Sequence, residues 1–210
     1  MLRVKESSDE LNSAVITTAE VPAVPRQKRT GSDYLALAIA TCGVGYLPLA
    51  PGTWGSIVGV GVYLLLEFIS LSFLWPYAAR HSLTFLSIET PRMAFLLLAI
   101  LVITRVGIWA ASRAEQLLQR KDPGAVVIDE VAGQLIALLS VPTFVQGWWG
   151  ILTAFLLFRA FDIWKPYPAR RLEKLESGLG IMSDDVVAGA YAAVVNSILL
   201  GVYFLLRPGT

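Results

Sequence analysis

Residues 158–189, FRAFDIWKPYPARRLEKLESGLGIMSDDVVAG, lie between two strongly apolar runs yet carry Arg159, Asp162, Lys165, Arg170, Arg171, Asp184 and Asp185. A helix over the first part puts Arg159, Asp162 and Lys165, each three residues apart, on one face. The second part reads as a helix start, with Ser183 as N-cap and two carboxylates in the first turn. Charge at the ends of apolar segments is costly and calls for a partner or a function. Carboxylate oxygens hold hard divalent cations, while arginine, lysine and backbone N–H groups hold phosphate. The stretch is therefore read as a magnesium site that holds a phosphate ester.

Two other segments supply the same residue types. KDPGAVVIDEVAG, residues 121–133, adds Lys121, Asp122, Asp129 and Glu130 at the start of an apolar helix. PGTWGS, residues 51–56, opens another helix, so its backbone N–H groups and the Thr53 and Ser56 hydroxyls are candidates for phosphate oxygens. Each feature alone has a plainer reading. Asp184 and Asp185 also fit simple partners of a helix dipole, and Arg159 and Asp162 fit a structural ion pair. Asp129 and Glu130 also fit wet interface residues, although Gly133 and Ile136 at i+4 and i+7 from Asp129 make that face look packed. A glycine-rich loop is most often a connector. Glu67 and Arg105 are expected to pair with each other inside the bundle, and His81 to lie at an interface.

The 210 residues are 55% hydrophobic and only 16% charged, against roughly 25% charged in an ordinary soluble domain. With a mean hydropathy of +0.62, this composition points to a membrane. A net charge of +1 gives no argument for nucleic-acid binding. The single cysteine, Cys42, excludes an intramolecular disulfide framework and speaks against a cysteine zinc cluster. Cys42 also lacks the following arginine that a cysteine phosphatase loop needs. One histidine cannot supply both the nucleophile and the acid of a histidine phosphatase.

The elements that must position these groups are apolar helices. Residues 1–32 read as a flexible polar tail, and 33–207 as one helical domain. Runs of about one bilayer thickness fall near 56–75, 93–112, 128–146, 147–165 and 186–206. Residues 76–92 read as a loop with room for an interfacial helix. The expected architecture is all-α: a polytopic bundle of four to five long apolar helices with short re-entrant or interfacial helices. Basic residues collect in the tail (Arg26, Lys28, Arg29), at Arg113, Arg120 and Lys121, and at Lys165, Arg170, Arg171 and Lys174. The positive-inside rule makes these regions cytoplasmic. Segments 43–56, 121–130, 159–165 and 183–185 then meet at one depth, at the cytoplasmic helix ends.

GVGYLPLAPGTWGS, KDPGAVVIDEVAG and FRAFDIWKPYPARRLEKLESGLGIMSDDVVAG, in that order, resemble the phosphatidylglycerophosphatase A family, and the resemblance covers about residues 34–206. It implies a magnesium-dependent lipid phosphatase of the bacterial inner membrane, in glycerophospholipid biosynthesis. Such an enzyme converts phosphatidylglycerol phosphate to phosphatidylglycerol and inorganic phosphate. The family's acidic positions fall on Asp129, Glu130, Asp162, Asp184 and Asp185, and its basic ones on Lys121, Arg159 and Lys165. On this reading Asp129, Glu130, Asp162 and Asp185 hold Mg²⁺, with Asp184 as a ligand or just behind. Arg159, Lys165 and Lys121 neutralise the phosphate, and Thr53 and Ser56 orient it. Water or one carboxylate is the nucleophile.

Three other classes compete. An alcohol phosphotransferase would show a dense Asp-Gly/Ala-Arg pattern that is absent. A transporter or ion-binding bundle would place its ionisable residues near the bilayer midplane, whereas these lie at span ends. A purely structural bundle would bind no divalent cation.

Overall fold

The computed structural model describes residues 29–82, 84–142 and 148–206, and every regular element among them is helical. In chain order these are α1 Gly31–Thr41, α2 Pro51–His81, α3 Phe85–Leu118, α4 Ile128–Leu138, α5 Trp148–Trp164, α6 Ala169–Leu172 and α7 Ser177–Leu206. Residues 1–28 of the expected tail lie outside the described residues, and α1 already takes in Gly31 and Ser32. Its start is local chemistry: the Thr30 N–H donates to the Asp33 carboxylate at 2.8 Å, half of a capping box.

Helices α2, α3 and α7 have 31, 34 and 30 residues, or about 45–50 Å at about 1.5 Å per residue. Each holds a segment long and apolar enough to cross a membrane. Their outer faces expose Leu64, Leu65 and Phe68 on α2, Leu97 and Leu98 on α3, and Ile198 on α7. Such a surface suits lipid rather than water.

The run expected to span 128–146 does not form one helix. α4 stops at Leu138 after 11 residues, about 16 Å of helix. It is enclosed by α2, α3, α5 and α7, and Val131, Ala132, Leu135, Ala137 and Leu138 are all buried. A helix wrapped in protein and a helix facing lipid both need apolar residues all round, so hydropathy alone reads them alike. The run expected at 147–165 is α5, which has 17 residues.

The expected loop at 76–92 is also largely helical. α2 continues through Pro76 to His81, and α3 begins at Phe85 and runs through Pro91. In a chain that must satisfy its own backbone, one bond lost at each proline costs less than unwinding the turn. This hairpin brings Arg92, fully buried, against Glu67 and Glu89. Glu67 therefore pairs with Arg92 and not with Arg105, which is exposed on α3.

The inner layer is tight because small residues meet. A Cβ placed on Gly189 of α7 would lie 2.3 Å from the Gly133 carbonyl oxygen of α4, so the two backbones are in direct contact. Phe158 of α5 and Met182 of α7 close the same core.

Candidate active site

Three helices deliver the charged residues to one place. Asp129 and Glu130 occupy the first turn of α4. Arg159 and Asp162 come from the last turns of α5, and Asp184 and Asp185 from α7. The expected N-cap at Ser183 does not exist. α7 begins at Ser177, and the Ser183 hydroxyl donates to the Leu179 carbonyl at 2.5 Å from within the helix. The earlier start follows from close packing on α3, where a Cβ at Gly178 would meet the Ile108 carbonyl at 2.2 Å. Asp184 and Asp185 thus lie two turns inside α7, beyond the reach of its N-terminal dipole. Both are buried.

Asp129, Glu130 and Asp185 each offer a carboxylate oxygen within 4.8 Å of the others. Asp162 stands beside them: it acts on both Glu130 and Asp185 and receives Arg159 Nη1 at 2.5 Å. The ion pair expected as the plain reading of Arg159 and Asp162 is therefore present, and it forms part of the cluster. Burial raises Asp129 well above the ordinary carboxylate range, and Glu130 and Asp185 push it the same way. Burial also raises Glu130, against the pull of Arg159. Among the described residues, Asp129 Oδ1, Glu130 Oε2 and Asp184 Oδ1 are buried without a hydrogen-bond partner. Buried acceptors without donors are rare in native proteins. An all-oxygen donor set of this kind fits a hard divalent cation.

Lys165 leaves the end of α5 with a left-handed backbone (φ 48°). Its Nζ reaches Asp184 at 2.7 Å and Glu173 at 3.4 Å. Burial alone would lower its pKa, but the Asp184 carboxylate outweighs burial and raises it, so the ammonium keeps its charge. Lys121 is not in this cluster. It is exposed and lines a 320 Å³ pocket with Glu115, Asp122, Arg170, Glu173 and Lys174. That pocket adjoins the cluster through Glu173, which pairs with Lys165, and through Asp122, whose charge acts on Asp129.

The PGTWGS segment is the opening of α2, which starts at Pro51, one turn earlier than Gly55 or Ser56. Proline suits that first helical position, where its missing N–H goes unmissed. Thr53 is half-buried there. Ser56 is fully buried, and its hydroxyl donates to the Gly52 carbonyl at 2.9 Å, back into its own helix. What the segment brings to the cluster is Gly52. A Cβ on it would lie 2.3 Å from Glu130 Oε1 and 3.0 Å from Arg159 Nη1. Residue type alone did not mark Gly52 or Glu173 as neighbours of the cluster; only the fold brings them there.

The family model for phosphatidylglycerophosphatase A matches residues 37–200. The chain belongs to the phosphatidylglycerophosphatase A family. It is similar to a Haemophilus influenzae protein of that name, 39% identical over 73% of this chain and 80% of the relative. An Escherichia coli protein of the same name is 30% identical over 72% and 74%. A Bacteroides thetaiotaomicron protein named "Putative phosphatidylinositol-3-phosphatase" is 37% identical over 79% and 94%. No solved structure matches the chain. The matched span takes in α4, α5, most of α7 and the opening of α2, and so every residue of the cluster. Membership makes the chain a lipid phosphatase with helices compatible with a membrane.

Proposed function

We propose that the chain hydrolyses phosphatidylglycerol phosphate to phosphatidylglycerol and inorganic phosphate, with Mg²⁺ held by Asp129, Glu130, Asp162 and Asp185. The observation that carries this reading is the set of buried oxygens from α4 and α7 that gather within 4.8 Å, two of whose carboxylates keep an atom without a donor. When bound, the ion would supply Lewis-acid polarisation of the phosphoryl oxygens.

The remaining roles belong to side chains. Arg159, fixed by Asp162, faces the phosphate with two guanidinium N–H groups beside the Gly52 backbone. A glycine at this point lets the Glu130 carboxylate and the Arg159 guanidinium lie against the α2 backbone. Lys165, kept charged by Asp184, supplies the second positive charge for the phosphate. Thr53 lies in the same turn of α2 as Gly52 and orients the phosphate with its hydroxyl, whereas the Ser56 hydroxyl is turned into its own helix. Lys121 meets the headgroup from the adjoining pocket rather than at the reacting phosphorus. The bond broken joins phosphorus to the glycerol oxygen; the oxygen of water ends on phosphate, and the glycerol leaves as an alcohol.

A lipid that keeps its acyl chains in the bilayer presents its phosphate at headgroup depth, and the cluster lies at helix ends. The basic residues Arg113, Arg120, Lys121, Arg170, Arg171 and Lys174 follow or precede those same ends. By the positive-inside rule this supports a cytoplasmic site in a bacterial inner membrane.

The test is phosphate release in mixed micelles with and without Mg²⁺, for the wild type, Asp129→Asn and Asp162→Asn. Phosphatidylinositol 3-phosphate serves as the competing substrate. Loss of turnover in both variants and on removing Mg²⁺ is expected, with preference for phosphatidylglycerol phosphate. Near-wild-type rates in both folded variants would refute the assigned roles.

A further inference from the structure

Gln134 is fully buried, yet neither its Oε1 nor its Nε2 has a hydrogen-bond partner among the described residues. An unpaired buried amide is destabilising, and native cores avoid it. The same bundle shows the usual solution. Asn196, equally buried, donates to Ser140 Oγ at 2.7 Å and accepts from Thr153 Oγ1 at 2.6 Å. Gln134 is the exception.

Its place explains why. Gln134 follows Glu130 by one turn of α4, and Glu130 Oε2 is also buried and unpaired. Helical side chains lean toward the N-terminus, so residue i lies over residue i−4. The stem of Gln134 is held by α2, where a Cβ on Gly59 would meet Gln134 Cβ at 2.8 Å. The amide is thereby carried over the Glu130 turn, without a direct bond to it. The two Gln134 amide atoms and Glu130 Oε2 are thus three buried, unpaired polar atoms one helical turn apart, the kind of group that an ordered water satisfies.

We propose that Gln134 is a positioning residue that fixes the Glu130 carboxylate through one buried water, bonded to the amide and to Glu130 Oε2. The inference rests on the metal reading given above. The water donates to one lone pair of Oε2 and holds the carboxylate plane, leaving that oxygen's other lone pair for the ion, while Oε1 stays beside Gly52 and the Arg159 guanidinium. Partners that orient a metal-binding side chain typically change metal affinity about 10- to 100-fold when removed.

The experiment measures Mn²⁺ binding by electron paramagnetic resonance on the full chain in detergent, for the wild type, Glu130→Gln and Gln134→Met. Methionine keeps the length of the side chain against Gly59 and removes its hydrogen bonds. Thermal unfolding of the metal-free proteins is recorded alongside. Gln134→Met is expected to weaken Mn²⁺ binding about tenfold, with a metal-free midpoint little changed, because methionine keeps the packing of the stem against Gly59. Unchanged Mn²⁺ affinity in Gln134→Met, with loss in Glu130→Gln, would overturn the positioning role and leave the metal reading standing. A lowered metal-free midpoint in Gln134→Met would overturn it in favour of simple packing. Wild-type binding by Glu130→Gln would overturn both readings together.

Discussion

Two clusters of buried charge meet the same helix, α2, and are built in opposite ways. Gly52 and Glu67 stand fifteen residues apart on α2, about 22 Å at 1.5 Å per residue. At Glu67, the buried Arg92 guanidinium is engaged at all three nitrogens: Nη1 donates to Glu67, while Nε, at 3.1 Å, and Nη2 donate to Glu89. At Gly52, three carboxylates crowd together, and oxygens of Asp129 and Glu130 find no donor. Burial of charge is thus common to both, and only satisfaction tells them apart. A cluster paired in this way fixes two helices, whereas carboxylates without donors offer the oxygen set that the proposed cation would use.

The sharpest way to break this division is Arg92→Leu. It leaves Glu67 and Glu89 facing each other without their shared cation, and removing one partner of a buried pair costs about 3–5 kcal/mol. Chemical unfolding in detergent should show that loss, while the folded fraction keeps its Mn²⁺ affinity and specific activity. A selective loss of Mn²⁺ binding in a still-stable Arg92→Leu would mean that the two clusters are one system. The reciprocal substitution, Asp129→Asn, should do the reverse. Activity should fall more than about a hundredfold, beyond the usual effect of removing a partner that only orients a metal ligand. The metal-free protein should unfold at the same temperature or higher, because a crowded, buried carboxylate has become neutral. A clear drop in its metal-free midpoint would place Asp129 among the structural charges.

Much of this contrast was legible in the sequence. Asp129, Glu130, Asp162 and Asp185 announce themselves as acids in apolar surroundings, and the three motifs carry the family resemblance in their order. Arg159 follows from its spacing with Asp162 on one helix face, whereas Lys165, expected on the same face, lies just past the end of α5 in a left-handed turn. The rest depends on tertiary contact. Glu67 gave no sign of choosing Arg92 over Arg105, because that choice is made by a hairpin whose ends pass through two prolines. The shortness of α4 was hidden because a helix enclosed by protein is as rich in apolar residues as one facing lipid. Ser183 looked like a cap because Gly178 and Gly180 look like a break. In the fold those glycines are helical and let α7 lie against the backbone of α3 and its own preceding turn. Gly52 carries no functional group, so its role exists only as a distance.

That distance gives the next prediction. Gly52→Ala adds one methyl where Glu130 Oε1 and Arg159 Nη1 already lie within 3.0 Å of it. Alanine is a better helix former than glycine, so metal-free stability should change little. Activity should fall about tenfold, the low end for disturbing groups that orient a metal ligand, and the pair should be compared in the same preparation. A variant that melts early but retains turnover would assign Gly52 to packing alone.

A third ion pair, between Asp33 of α1 and Arg113 of α3, sharpens the comparison at its weak end. The Asp33 carboxylate is covered, but the Arg113 side chain is 43% exposed, and the two meet at 2.6 Å. Bonds from the Thr30 backbone and from Arg113 hold Asp33 down to about 2, below its ordinary 3.8. A carboxylate whose folded pKa is depressed stabilises the fold fully above 3.8 and loses that contribution as pH falls toward 2. Asp33→Asn should therefore lower the unfolding midpoint slightly near neutral pH, and the gap from wild type should close as the solution is acidified through that window. Solvent screens this pair, so the effect should also shrink in high salt. An Arg92→Leu deficit that shrank with salt in the same way would mean that the inner cluster is solvated, and burial would no longer separate the helix-clamping charges from the rim.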